Sequence, residues 1–315
     1  MKRPLLEINN LSVGFKINGS KQKQSWAVND LSIRAYPGEI LTIVGASGSG
    51  KSVLASAILG LLPGNAISSG EIIYDGKNVD KKLLDELRGE EITFIPQSIS
   101  SLDPLVKVGK QVRNFASDDE TIKKQRKIFK EFGLNRSVEK SYPFQLSGGM
   151  ARRVLISTTM MKNPRLIIAD EPTPGLDIQS AKKTMDYFKS FAKKDKAVIL
   201  ITHDIDLAIH YSDKLAIFYG GEIVEITKAR YFHHGIQYLK HPYTRALYRS
   251  LPTNGFKPIP GSQPIPDKEN QGCIFRDRCE CKEQICDHSV NTQKFEDEMV
   301  RCNVDFAGKK YKLSV

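Results

Sequence analysis

The sequence predicts an α/β fold built on a parallel sheet, and three observations carry that prediction. Short aliphatic, β-branched runs alternate with stretches of helical periodicity. One of these runs ends in a glycine-rich turn that opens directly into a helical pattern. Another ends in two adjacent acids. Strands separated by helices pair in parallel through crossovers, which place helices on the faces of the sheet.

Taken in order, residues 39–44 form an apolar run that stops at Gly45. Helical pattern follows from Lys51 to Leu62, where Pro63-Gly64 is expected to end it. Residues 92–95, 166–169 and 197–201 are further buried-strand candidates. Between the last two, Ile178, Ala181, Met185, Phe188 and Ala192 recur at spacings of three and four, which predicts one apolar stripe on a helix. Residues 215–219, Gly220-Gly221 and residues 222–224 read as a β-hairpin. Residues 98–162 lack strand signals and have helical character, as in 122–129, so they are expected to form a helical insertion. Beyond Leu251 the prolines at 252, 258, 260, 264 and 266 mark an extended linker into a cysteine-bearing tail. The expected division is a domain over 1–250, with its α/β core at 1–97 and 163–250 and a helical subdomain at 98–162, followed by an extension over 251–315.

The chain has 315 residues, enough for about two domains and for a large core without disulfide or metal staples. The net charge of +11 suits nucleic acid, anionic headgroups or nucleotide phosphates without choosing among them. Short runs such as Lys123-Lys124 and Lys193-Lys194 are scattered, as a solvated surface would have them. No stretch approaches the roughly 18 consecutive apolar residues of a membrane span. The basic start has no apolar core, so it does not read as a signal peptide. The expectation is a cytosolic protein whose membrane role, if any, runs through separate chains.

Gly45-Ala46-Ser47-Gly48-Ser49-Gly50-Lys51-Ser52 satisfies G-x-x-x-x-G-K-[ST] in full. Its glycines let successive N–H groups turn toward an anion, and the following helix adds its positive N-terminal end. Lys51 is suited to the β- and γ-phosphates and Ser52 to Mg²⁺. Such a cradle specifies a nucleoside triphosphate rather than a reaction. The strand at 166–169 then delivers Asp170 and Glu171 at its carboxyl end, where α/β sheets bind ligands. Asp170 fits a metal-side acid and Glu171 a general base for water; read alone, the pair is equally two solvated acids.

With Leu146-Ser147-Gly148-Gly149-Met150 ahead of the acid-tipped strand, the chain resembles the ATP-binding subunits of ABC transporters. Met150 stands where that family's signature usually ends in Gln. The resemblance implies a P-loop (RecA-like) ABC cassette with an inserted helical subdomain, and it assigns roles. Gly45, Ser47, Gly48, Ser49, Gly50, Lys51, Ser52 and Val53 bind ATP, as does Asp170. Ser52, Gln97 and Asp170 hold Mg²⁺; Glu171, His203 and Gln97 are catalytic; Asp177 is the D-loop acid. Phe15 corresponds to the aromatic that stacks on adenine, with Trp26 a rival and a core role for Phe15 open. Ser147, Gly148, Gly149 and Met150 would serve the ATP of a partner cassette packed head to tail.

Four segments are similar to the peptide and nickel importer branch: residues 97–104, Tyr142-Pro143 before the signature, His241-Pro242-Tyr243-Thr244 and Pro260-Gly261. The five cysteines all lie from Cys273 onward, and in a cytosolic chain such a cluster points to a soft metal rather than disulfides. Cys273, Cys279, Cys286 and Cys302 resemble the branch's [4Fe–4S] motif, with Cys281 spare; zinc fits four cysteines as well, and unligated thiols are the bland alternative. The resemblance implies a second, non-identical ATPase subunit, two transmembrane permease subunits, an external substrate-binding protein acting indirectly, no nucleic acid, and a place on the cytoplasmic face of the membrane. It implies ATP-driven import of di- or oligopeptides. A nickel or metal-chelate importer and a soluble, non-transport ABC ATPase are the alternatives, and a cassette that binds ATP without hydrolysing it is opposed by Glu171 and His203.

Overall fold

A computed structural model describes residues 3–16, 24–193, 195–266 and 272–304. In chain order the strands are β1 (Leu6–Lys16), β2 (Gln24–Ala35), β3 (Ile40–Val44), β4 (Ala66–Tyr74), β5 (Lys77–Asn78), β6 (Ile92–Ile95), β7 (Leu166–Asp170), β8 (Ala197–Thr202), β9 (Lys214–Tyr219), β10 (Glu222–Lys228), β11 (Thr292–Phe295) and β12 (Glu298–Arg301). The helices are α1 (Lys51–Ile58), α2 (Lys81–Leu87), α3 (Val108–Val112), α4 (Asp119–Glu131), α5 (Gly148–Met161), α6 (Ile178–Ala192), α7 (Ile205–Tyr211), α8 (Tyr231–His234) and α9 (Pro242–Arg249). They divide into two compact units that interleave along the chain. One unit comprises the residues up to Leu6, Ala35–Leu41 and Tyr74–Thr202; the other comprises Glu7–Arg34, Thr42–Ile73 and the residues from His203 onward.

In the first unit β6, β7 and β8 form a parallel ladder with β7 in the middle, in register from Ile92↔Leu166 and Leu166↔Ala197. Every residue of β7 and β8 is buried, which explains their unbroken aliphatic sequences: a parallel strand covered on both faces has no polar side to alternate with. Residues 98–162 contain no strand. Their core gathers Val108, Val112, Phe129, Leu134 and Val154, so the helix that starts at the signature also closes this hydrophobic cluster. The stripe expected on α6 holds at Met185, Phe188 and Ala192 and fails at Ile178. Thr184, Met185, Phe188, Phe191 and Ala192 are buried, whereas Ile178 is 89% exposed because it sits at the first turn, beyond the packed part of the helix.

In the second unit β2, β1 and β4 lie side by side in one sheet, and β3, β9, β10, β12 and β11 follow one another in another. Helix α1 ends at Ile58, short of the expected Leu62. The stop is Gly60, not Pro63: its φ is +62°, its N–H bonds to Ala57 O, and the Leu61 N–H bonds to Ser56 O. That crossed pair is a Schellman closure, which uses a left-handed glycine just past the helix. The β9–β10 hairpin turns on Gly220 and Gly221, both at positive φ as a tight two-residue turn requires, and β10 carries a bulge around Val224. The tail is more ordered than its composition suggests. β11 and β12 form an antiparallel hairpin, and β12 extends the sheet by pairing with β10, Glu225↔Val300. The extension also shares a core with the strands: Phe275 packs edge-on against Tyr219 at 5.3 Å, and Tyr219 lies 4.4 Å from Tyr243 of α9.

Candidate functional site

The phosphate-cradle sequence leaves the carboxyl end of β3 and enters α1 within the second unit. Two of its glycines are required by close approach. A Cβ on Gly45 would lie 2.4 Å from Phe218 O, and one on Gly50 would lie 2.2 Å from Ala27 O. Gly48 differs: its φ is +74°, but nothing lies within 4 Å of its missing Cβ, so only the backbone conformation demands glycine there. Helix α1 has no side-chain cap and no acid in its first turn. Its leading N–H groups and positive end therefore meet no competing anion from its own turn. Lys51 is buried, and its ammonium donates to Gly45 O and Ala46 O, both at 2.7 Å, which holds the loop closed around the lysine. Ser49 is buried beside it, 3.5 Å from Nζ, whereas Ser47, Gly48 and Ser52 are exposed and Val53 is half-buried. The two aromatic candidates are neighbours: Phe15 is half-buried in β1, and the Trp26 ring would lie 3.0 Å from a Cβ on Gly14. His203 is exposed at the junction after β8, next to Asp204, which caps α7 by accepting from Leu207 N–H.

The first unit carries the other motifs. Asp170 ends β7 and Glu171 follows it, both nearly fully buried. Glu171 has φ +47°, a left-handed conformation that costs a non-glycine residue about 1–2 kcal/mol. It is held there from two sides: its N–H donates to Ile201 O at 2.9 Å, and the Thr202 hydroxyl donates to its Oε2 at 3.1 Å. A buried carboxylate kept in a strained backbone by its neighbours is what a fixed base needs. Gln97 is exposed, two residues beyond β6.

Ser147 caps α5, its Oγ accepting from Met150 N–H at 3.2 Å. The hydroxyl of the signature thus has a local partner, while Ser147 and Gly148 stay exposed and Gly149 and Met150 are half-buried. Gly149 is fixed by packing: a Cβ there would lie 2.8 Å from Gly175 O, so the signature helix rests on the D-loop backbone. Asp177 caps α6, accepting from the Ser180 hydroxyl at 2.7 Å and its N–H at 2.9 Å; these bonds hold its carboxyl below the usual carboxylate range. Sequence reasoning missed Arg152. It lies within α5 and donates through Nη1 to Pro96 O at 2.7 Å and through Nη2 to Gln97 O. The Arg152-Arg153 pair between buried Ala151 and Val154 was the available signal.

The cysteines are free thiols, with Cys273, Cys286 and Cys302 buried and Cys279 and Cys281 half-buried. Burial, reinforced by neighbouring sulfurs, pushes Cys279 and Cys302 up to about 12. They are therefore neighbours electrostatically. Four cysteines are a chemically suitable donor set for [4Fe–4S] or zinc, yet among the described residues no three His, Cys, Asp or Glu side chains are arranged to hold an ion. The expected ligand set Cys273, Cys279, Cys286 and Cys302 is thus not a ready-made cage. Cys273 and Cys286 pack in the cluster around Tyr219 and Phe275, while Cys302 packs with Val300 and Val304 against Cys281. Arg278 pins the proline linker, donating to Pro260 O at 2.6 Å and Ile259 O at 2.9 Å.

Residues 28–174 match the family described as ABC transporter, and residues 224–286 match the oligopeptide/dipeptide transporter C-terminal region. The chain is 36% identical over 299 residues to the oligopeptide transport ATP-binding protein OppD of Bacillus subtilis (strain 168), covering 86% of this chain and 80% of that one. It is 33% identical over 310 residues to the dipeptide transport ATP-binding protein DppD of the same organism, covering 90% of this chain and 89% of that one. Among solved structures, the dimeric post-hydrolysis state of the ATP-binding cassette MJ0796 bound to ADP and Pi superposes with a TM-score of 0.64 at 28% identity, covering 71% of this chain and 99% of that one. The buried acid-tipped strand, the glycine cradle and the capped signature helix accord with these likenesses, and the chain belongs to the ABC transporter ATP-binding subunits of the oligopeptide/dipeptide transport family.

Proposed function

We propose that this chain hydrolyses ATP to drive import of di- or oligopeptides through separate membrane subunits. The observation that carries the reading is the strained, doubly held Glu171 at the end of β7, in a chain that also has the cradle, the signature and the peptide-transporter C-terminal region. In this reading Gly45, Ser47, Gly48, Ser49, Gly50, Lys51, Ser52 and Val53 hold the nucleotide, with Phe15 against adenine. Ser52, Gln97 and Asp170 hold Mg²⁺, which when bound neutralises charge on the phosphates. Glu171 takes a proton from the attacking water, and His203 steadies the γ-phosphate. Ser147, Gly148, Gly149 and Met150 present the start of α5 to the ATP of a second cassette, and Asp177 borders that contact. Residues 1–250 act as the cassette, with 98–162 as its helical subdomain, and 251–315 as the extension.

The partners in this reading are a second, non-identical ATPase subunit, two permease subunits and, indirectly, a substrate-binding protein. The chain then works on the cytoplasmic face of the membrane; among the described residues no helix is long and apolar enough to cross one. The test is ATP hydrolysis by the assembled transporter in liposomes. Stimulation by peptide-loaded binding protein is expected, and stimulation by a nickel chelate but not by peptide would reject peptide as the cargo. In this reading Cys273, Cys279, Cys286 and Cys302 would hold a [4Fe–4S] cluster, with Cys281 spare. Anaerobic purification should then give brown protein containing iron and sulfide; stoichiometric zinc without iron would replace the cluster with a zinc site.

A further inference from the structure

Helix α5 does more than present the signature. A little over one turn past Ser147 it buries Arg152, which is 6% exposed. Its two terminal nitrogens donate to consecutive carbonyls, those of Pro96 and Gln97, at the point where the chain leaves β6. Its Nε has no hydrogen-bond partner among the described residues. The opposite charges that act on it are Asp170 and Glu171, which favour its charged form, whereas burial works against it. Burying a guanidinium is unfavourable unless hydrogen bonds and opposite charge offset it. A leucine or methionine would fill the same volume without that penalty, so packing alone does not call for arginine here. What arginine adds is a planar fork that grips two acceptors at once, together with a fixed positive charge.

We propose that Arg152 is a positioning residue that ties the signature helix to the Gln97 backbone. A shift of α5 would then carry Gln97 with it. The proposal rests on the reading of Gln97 and Glu171 as catalytic groups.

The test uses the full-length chain in its assembled transporter, with Arg152→Gln, Arg152→Lys, Gln97→Ala and the double variant Gln97→Ala/Arg152→Gln. Charge-assisted hydrogen bonds of this kind correspond to roughly tenfold or more in rate. Arg152→Gln should lower kcat about tenfold and leave KM for ATP within about twofold. Arg152→Lys keeps the charge without the fork, so kcat should stay depressed. Adding Arg152→Gln to Gln97→Ala should cost little further kcat, since both act through one group.

A purely structural role would show as a lower Tm with kcat unchanged below the melting range. That result, or full additivity in the cycle, overturns the proposal. Should Arg152→Gln fail to fold, the Lys variant decides: wild-type kcat in it rejects the fork. If Glu171→Gln, assayed in parallel, keeps full turnover, the general-base reading fails on its own, and the cycle with Gln97 still judges Arg152.

Discussion

Replacing Gly50 with alanine isolates what the cradle glycines do. The new Cβ would sit 2.2 Å from Ala27 O and 3.1 Å from Ala27 C, with φ at +107°. The opposing atoms are backbone of β2, so no side chain can swing aside. Two penalties add: about 1–2 kcal/mol for a left-handed non-glycine residue, and a further ~1–3 kcal/mol for forcing backbone apart in a packed region. The sum, about 2–5 kcal/mol, falls on the turn that opens α1, so it should appear as lost ATP affinity as well as lost stability. At tenfold per 1.4 kcal/mol, binding should weaken by at least about tenfold. Gly48→Ala is the internal control, because its missing Cβ faces open space and only the positive φ is penalised. It should cost about 1–2 kcal/mol and leave most of the binding intact. Titration with a fluorescent ATP analogue and thermal melting of both variants give the two numbers. Equal losses in the two variants, or wild-type binding by Gly50→Ala, would refute the steric explanation.

Gly149→Ala places a Cβ 2.8 Å from Gly175 O, so α5 and the D-loop must part; ATP binding should persist while hydrolysis by the assembled transporter falls at least about tenfold. Unchanged turnover would show that this contact is slack. A pH effect is expected from His241, whose ring is fully buried and held by burial at about 3. Its folded value lies below its unfolded value near 6.5, so the unfolded chain binds the extra proton first and stability is lost as pH falls through the window from about 6.5 to 3. The full effect is on the order of 5 kcal/mol. Burial of Glu225, which accepts from the Lys240 and His241 N–H groups, raises its carboxyl and opposes the trend, because a raised carboxyl favours the folded state as pH falls. His241→Asn should flatten the dependence of Tm on pH between about 6.5 and 4; an unchanged slope would contradict it.

Strand cores and motif positions were legible because they depend on short stretches of sequence. Residues 166–169 and 197–201 are aliphatic throughout, and burial on both faces is the setting that suits them. The glycines at 220 and 221 mark their turn locally in the same way. Other features were hidden because distant residues decide them. The end of α1 was assigned to Pro63, yet Gly60 closes the helix through bonds to Ala57 and Ser56. The β11–β12 hairpin is largely polar on the outside, Thr292, Lys294 and Phe295 being exposed, so no alternation announces it; its order comes from pairing with β10. The interleaving of two units follows from long-range packing that no local pattern records. Within the site, the cradle, the acids and the signature could be named from sequence, but the φ of Glu171, the contact of Gly149 with Gly175 and the grip of Arg152 on Gln97 are properties of assembled backbone.

Hydrolysis by Glu171→Gln tests the central claim most directly. Glutamine keeps the shape of the side chain, and its amide oxygen can still accept from Thr202, so the strained backbone at φ +47° should survive. What is removed is the basicity. ATP binding within about twofold of wild type, with hydrolysis reduced by on the order of 10²–10⁴, is the expected result. Hydrolysis at the wild-type rate, with binding intact, would contradict the assignment of this buried acid as the base.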